Sequence, residues 1–295
     1  MVERVSNHPA KATVGIIGGS GLYEMEGLEA VHEVWPETPF GRPSDAIVLG
    51  RLGGVAAAFL PRHGRGHRLM PTEVPARANI FALKSLGVER IISISAVGSL
   101  KEEIHPLDLV VPDQLVDRTR LRQNTFFGDG VVAHVGFAEP FCSRLSALLA
   151  EVAASTGATV HRGGTYVVIE GPAFSTRAES HLYRSWGASV IGMTALPEAR
   201  LAREAEMCYA TLACATDYDV WHETEAPVTV EMVVANLQKN VATSKRTLQQ
   251  VIPRLEGHRS CSCGMALKDA IITAPDRVPA KAKERLAAII GKYVR

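Results

Sequence analysis

Short apolar runs alternate along the chain with stretches whose apolar residues recur at helical spacing, the signature of an α/β protein. The runs predict strands over 14–17, 46–49, 55–60, 90–97, 109–111, 166–169, 189–193 and 209–216. Gly53-Gly54 separates the second and third of these, which reads as a paired turn. A helix is expected over 72–86: Pro75 suits its first turn, Ala76, Ile80 and Leu83 share a face, and Gly87 ends it. Further helices are expected over 140–154, 176–186 and 196–206. A long one starts near 228, with Val230, Val233, Val234, Leu237 and Val241 on one stripe. The central runs barely alternate, as expected of strands covered on both faces. No repeat, low-complexity tract or linker divides the chain, so one domain over 1–295 is expected. From about 256, Gly257, Gly264 and Pro275 mark a looser extension that ends in a helical stretch over 279–293.

Composition narrows the classes. The chain has 295 residues, 46% of them hydrophobic, enough for a large core. Its 32 basic and 31 acidic side chains give a net charge of +1, so no excess field draws it to nucleic acid or an anionic membrane. No apolar run reaches the ~20 residues that span a bilayer, and no signal-like segment opens the chain, which reads as soluble and cytoplasmic. Five scattered cysteines are not a disulfide framework. Cys208 and Cys214 lie in an apolar run and read as small buried hydrophobes. Cys261 and Cys263 are compatible with a redox pair, with half a metal site lacking its other half, or with inert surface thiols, the plainest of the three.

Candidate chemistry gathers at strand ends. Gly18-Gly19-Ser20-Gly21 follows the first strand and can turn backbone amides toward an anion. It lacks the third glycine of a dinucleotide fingerprint and the Lys-Ser/Thr of a P-loop. Arg62-His63-Gly64-Arg65-Gly66-His67-Arg68 packs three arginines and two histidines into seven residues. Its glycines exclude a helical metal pair, and it reads either as a solvated basic loop or as an oxyanion site in which Arg62 offers a fork of donors and His63 one more. Ser95-Ala96-Val97-Gly98-Ser99 and Gly192-Met193-Thr194 also end strands, where ligands bind in open α/β sheets. Asp217 and Asp219 end the longest apolar run, where a carboxylate is costly unless it binds something.

Taken in order, these segments resemble the trimeric purine nucleoside phosphorylase family over about 14–255. The resemblance is also carried by Thr38-Pro39-Phe40-Gly41, Ile169-Glu170-Gly171-Pro172, Arg177-Ala178-Glu179 and Pro197-Glu198. It implies a single α/β domain with a central mixed, partly barrel-like sheet flanked by helices. Within that family the chain is most similar to members that convert S-methyl-5′-thioadenosine and phosphate to adenine and S-methyl-5-thioribose 1-phosphate. By resemblance Ser20, Arg62, His63, Ser95 and Thr194 bind phosphate, although the family often has Thr where Ser20 and Ser95 stand. Met193 lies against the ribose, Phe174 and the backbone near Ala96 pack on the base, and Asp217 and Asp219 address N7 and the 6-amino group. Val230, Val233 and Val234 line the methylthio pocket, and His134 reaches in from a neighbouring subunit of a homotrimer or a dimer of trimers. No metal or organic cofactor is implied, phosphate being a co-substrate.

Two positions bear on specificity. Members that take 6-oxopurines carry Glu and Asn where this chain has Ser175 and Asp217. A carboxylate acceptor suits a 6-amino group, while an oxo group meets it as a second acceptor. The competing readings are a phosphorylase for 6-oxopurine nucleosides or methylthioinosine, a hydrolytic nucleosidase, and a non-catalytic binding module.

Overall fold

The computed structural model describes residues 11–222 and 230–294; the side chains of Ser20, Tyr23, Val230, Met232, Val233 and Leu237 lie outside the described set. In chain order the strands and helices are β1 Val14–Gly18, β2 Leu28–Val34, β3 Ile47–Leu52, β4 Val55–Pro61, α1 Ala76–Ser85, β5 Arg90–Ser99, β6 Leu109–Val111, β7 Gln114–Arg118, α2 Ser143–Ser155, β8 Val160–Arg162, β9 Thr165–Ile169, α3 Arg177–Ser185, β10 Val190–Gly192, α4 Ala195–Glu204, β11 Cys208–Asp217, α5 Val230–Val251, α6 Ala280–Arg285 and α7 Ala287–Ile290. The described strands form one mixed sheet in the order β2-β3-β4-β1-β5-β10-β9-β7, while β11 pairs with β5 and β6, and β6 with β8. The sheet branches at β5, which runs parallel to β1 and β11 and turns its last residues antiparallel to β10. It is a branched, mixed α/β sheet rather than a closed barrel.

Both faces of the central strands are covered, as their continuous apolar character requires. Every residue of β1 and of β11 is buried. One large core cluster joins α1 and α4 to the sheet through Ile80, Leu83, Leu201 and Tyr209. A second packs α2 and the C-terminal half of α5 against the other face through Leu149, Ile92, Leu212 and Leu248. Leu267, Leu286 and Ile290, all beyond 256, are fully buried in the first cluster. Glu206 ties this segment down: it accepts from the Leu267 amide at 3.0 Å and the Tyr293 hydroxyl at 2.6 Å.

Differences from the expected elements have local causes. Helix α1 starts at Ala76 rather than 72, because Pro75 disfavours helical backbone at Val74. The C-terminal helical stretch divides at Leu286, whose φ of −102° and ψ of 12° leave the helix. Strands β2, β7 and β8 are half-exposed or exposed along most of their length, so no apolar run marks them. Helix α3 begins with a reciprocal capping box, the Thr176 hydroxyl accepting from the Glu179 amide and the Glu179 carboxylate accepting from the Thr176 amide. Among the described residues no helix is long and apolar enough to cross a membrane.

Candidate active site

The C-terminal ends of β1, β4, β5, β10 and β11 converge on a cavity of about 290 Å³. It is bordered by Arg62, His63, Ser95, Ala96, Phe174, Met193, Thr194, Asp217 and Asp219, which lie far apart in sequence. Ser20 opens a short helical turn at the cavity edge that includes Gly19 and Leu22; its side chain lies outside the described residues, as do those of Val230 and Val233. Val234 is 46% exposed and does not border the cavity. Nor does His134, whose amide donates to the Ala270 carbonyl at 2.8 Å.

The carboxylate end is shaped by backbone. Between Ala215 and Asp217 the pairing of β11 with β5 shifts register, a bulge that turns Asp217 toward the cavity. Two amides on α5 hold the displaced carbonyls: Asn236 Nδ2 donates to Thr216 O at 2.7 Å and Asn240 Nδ2 to Ala215 O at 3.1 Å. Gly98 faces this turn, and a Cβ there would sit 2.9 Å from Asp217 Oδ1 and 3.2 Å from Asp219 Cβ. A side chain at position 98 would push both carboxylates out of place.

Asp217 Oδ1 accepts from the Asp219 amide at 2.8 Å and Oδ2 lies 2.7 Å from the Thr216 hydroxyl. That hydroxyl is also 3.2 Å from the Val97 carbonyl. It owns one hydrogen, so when it donates to the carbonyl, Asp217 must be the donor to it and therefore protonated. Burial raises the Asp217 carboxyl above its ordinary range. Burial first, then the neighbouring Asp217 charge, pushes Asp219 up to about 6. Asp219 Oδ2 is buried without a hydrogen-bond partner among the described residues.

The basic end is more constrained than its sequence indicates. Arg62 is buried and its fork is anchored: Nε and Nη2 donate to Glu198 at 2.5 and 3.1 Å, Nη1 to Ile94 O at 2.9 Å, and Nη2 to Ser93 Oγ at 2.7 Å. Of its five N–H bonds, one on Nη1 is left for the cavity. His63 Nδ1 lies 2.8 Å from the Leu69 carbonyl, so this nitrogen carries the hydrogen and Nε2 is left as the other ring atom. Burial, then the Arg62 charge, lowers His63 to about 4. The ring is neutral at pH 7, and Nε2 accepts rather than donates. This corrects the expectation that His63 adds a donor beside Arg62. Ser95 Oγ and Ser175 Oγ, both bordering the cavity, are buried without partners among the described residues.

Several residues that sequence reasoning passed over complete the site. Glu198 neutralises Arg62 and also accepts from the Tyr209 hydroxyl at 2.9 Å. Its sequence signal was weak, because α4 also carries Arg200, Arg203 and Glu204, and only burial in the fold singles out Glu198 as needing a partner. Arg122, in a segment with no periodicity, donates from Nη1 to the Met193 and Leu196 carbonyls at 2.5 and 2.6 Å. It also donates from Nη2 to Glu170 O at 2.6 Å and from Nε to the Glu170 carboxylate at 3.0 Å. It thereby fixes the loop that presents Met193 and Thr194. Gly192 admits the Tyr166 hydroxyl, which would stand 2.4 Å from a Cβ and lies 3.4 Å from Thr194 Oγ1.

Residues 13–253 match the model of the phosphorylase superfamily. The chain belongs to that superfamily. It is 60% identical over 282 residues to the S-methyl-5′-thioadenosine phosphorylase of Geobacter sulfurreducens, covering 95% of this chain and 99% of that one. It is 58% identical to the enzyme of the same name from Thermosynechococcus vestitus, covering 96% and 99%. Among solved structures it superposes with a TM-score of 0.91 and 50% identity on a methylthioadenosine phosphorylase from an antarctic soil metagenomic library, over 95% of this chain and 99% of that one. A mutant adenosine/methylthioadenosine phosphorylase from Schistosoma mansoni, solved with adenine, gives 0.85 and 37% over 90% and 100%. Strand ends that carry an anion-suited cluster and a carboxyl pair are thus set in the fold of a phosphorylase superfamily member.

Proposed function

We propose that the chain cleaves S-methyl-5′-thioadenosine with inorganic phosphate, releasing adenine and S-methyl-5-thioribose 1-phosphate. One observation carries this reading: a single cavity holds Arg62, His63, Ser95 and Thr194 on one side and the buried carboxyls of Asp217 and Asp219 on the other. The names of its relatives agree with it.

The free Nη1 hydrogen of Arg62 and the hydroxyls of Ser95 and Thr194 hold phosphate, with Ser20 beside them. His63 enters as an acceptor, taking a hydrogen bond from a protonated phosphate oxygen. Departure of the base leaves positive charge on the ribose, which the phosphate anion held beside it stabilises. The purine departs with negative charge, and a proton from Asp217 to N7 removes it. Asp219 Oδ2, unpartnered in the described structure, accepts from the 6-amino group. Met193 covers the ribose, Phe174 and Ala96 the base. Val230 and Val233 take the methylthio group, for which α5 already supplies Val241 to the cavity wall, while the exposed Val234 is left out of that pocket. Fixing both reactants in one cavity removes much of the remaining entropic barrier. Nothing in this sequence of steps calls for a metal or organic cofactor.

A homotrimer with His134 contributed across the interface fits a chain whose own His134 lies off its cavity and whose Phe174 stands 47% exposed at the rim. Equal activity from a strict monomer in light scattering would sink that part. We place the enzyme in the cytoplasm.

The test is base release from methylthioadenosine, adenosine, inosine and methylthioinosine, each with and without phosphate. Phosphate-dependent release of adenine, fastest from methylthioadenosine, is expected. Preference for inosine overturns the substrate, and turnover undiminished without phosphate makes the enzyme a hydrolase.

A further inference from the structure

The fold gathers four cysteines that the sequence scatters over 122 positions, from 142 to 263. Cys142 is the N-cap residue of α2, and Cys208 opens β11. Cys261 and Cys263 flank the start of a short helical turn, Ser262–Met265, in the segment beyond 256. All four sulfurs lie within 4.8 Å of one another, and Cys208 Sγ to Cys261 Sγ is 3.2 Å. Three of the four are buried and all are free thiols. Cys214, farther along β11, is not among them: its sulfur faces Ser244 Oγ at 3.6 Å.

We propose that Cys142, Cys208, Cys261 and Cys263 form a closed tetrathiolate site for a soft divalent ion, zinc in the first instance. A zinc–sulfur bond of about 2.3 Å in a tetrahedron sets sulfur–sulfur edges of about 3.8 Å, inside the range this cluster spans. An all-sulfur donor set disfavours magnesium and calcium, which take oxygen. Four protein ligands leave no open position, the mark of a structural site. Each thiol gives its proton to solvent as its sulfur takes a coordination position, so the step needs no oxidant. Four thiolates around a dication carry a net negative charge. The cavity beside Cys142, Cys208 and Cys261 is bordered by Arg90, Arg144, Arg254, Arg259 and His258, against one carboxylate, Glu256. Arg90 and Arg259 are also salt-bridged to Glu89 and sit close by.

Sequence alone showed half of this site, the Cys-x-Cys of the C-terminal segment. The other half comes from α2 and β11, so the ion ties that segment to the core. Cys208 and Asp217 stand at opposite ends of a ten-residue strand, roughly 30 Å apart at ~3.3 Å per residue. The ion therefore supports the fold and takes no part at the proposed reaction centre.

The test measures metal content and thiol count on the full chain purified without added metal or reductant. Expected are one zinc per chain by elemental analysis and native mass spectrometry, and five thiols after denaturation with chelator. Cobalt(II) replacing zinc should give intense thiolate charge-transfer absorption. Cys261→Ser with Cys263→Ser should lose the ion and Cys214→Ser keep it; the wild-type count decides should the double variant not fold. Chelation is expected to lower Tm and leave kcat/KM unchanged, and an unmoved Tm overturns the structural role. Two disulfides, seen as a single titratable thiol and a mass lighter by four hydrogens, overturn the site. So do five free thiols that retain no zinc and take up no cobalt.

Discussion

The two ends of β11 differ in how completely they are satisfied. At its C-terminal end Asp217 and Asp219 are buried with raised carboxyls, and Asp219 Oδ2, Ser95 Oγ and Ser175 Oγ have no partner among the described residues. At its N-terminal end Cys208 is packed against three other sulfurs, and the segment beyond 256 covers it. Polar groups left unpaired in a folded interior cost stability and persist where they serve a ligand. The contrast locates function at the end where strands stop and loops open, and stability at the end where another part of the chain closes over.

Breaking the carboxylate end should have the largest effect. Asp217→Ala is expected to lower kcat/KM by roughly 10²–10⁴-fold, the range for removing a general acid, with Tm close to wild type. A large fall in Tm would mean that Asp217 is structural. Asp217→Asn should instead shift preference toward 6-oxopurine nucleosides, because the Asn amide keeps a donor for a 6-oxo group, whereas Asp217 has only an acceptor left once its proton is given to N7.

Next in size is the Arg62–Glu198 pair, both ends of which are nearly inaccessible. Glu198→Ala leaves a buried cation unpaired and is expected to cost about 3–5 kcal/mol of stability, read by denaturant unfolding. A loss below 1 kcal/mol would show that water replaces the carboxylate there.

Asp219 sharpens the comparison from the other side. Its carboxyl is raised to about 6 in the folded chain against about 3.9 when unfolded. The protonated form is therefore the one folding favours. That stability is complete below the unfolded value and is lost as pH rises through about 6. Asp219→Asn, which keeps the shape without the charge, should gain about 2–3 kcal/mol at pH 7–8 and nothing at pH 3, while slowing turnover. Equal unfolding midpoints for the two proteins across that range would remove the charge as the cause.

The smallest effect concerns His63. A neutral ring that accepts from phosphate requires a proton on the phosphate, or one taken up as it binds. KM for phosphate is thus expected to be flat below the second ionisation of phosphate and to rise above it, approaching about tenfold per pH unit. A flat profile in initial-rate measurements would restore His63 as a donor.

What the amino-acid sequence determined by itself was local. Continuous apolar runs announced β1, β4, β5 and β11 because burial on both faces demands them, and the ends of those strands with the loops after them carried most of the described cavity residues, the rest coming from β9, β10, the loops after them and α5. Half-exposed β2, β7 and β8 left no such mark, since an edge strand need not be apolar. Only the tertiary structure decided which groups meet. Glu198 reaches Arg62 across 136 positions, and Arg122 gathers carbonyls from two later segments. The state of His63 follows from the Leu69 carbonyl and from burial, neither of which a motif records. Cys261 and Cys263 find Cys142 and Cys208 for the same reason. Periodicity encodes which face of an element is buried; the partner on the far side of that interface is set by how the elements pack.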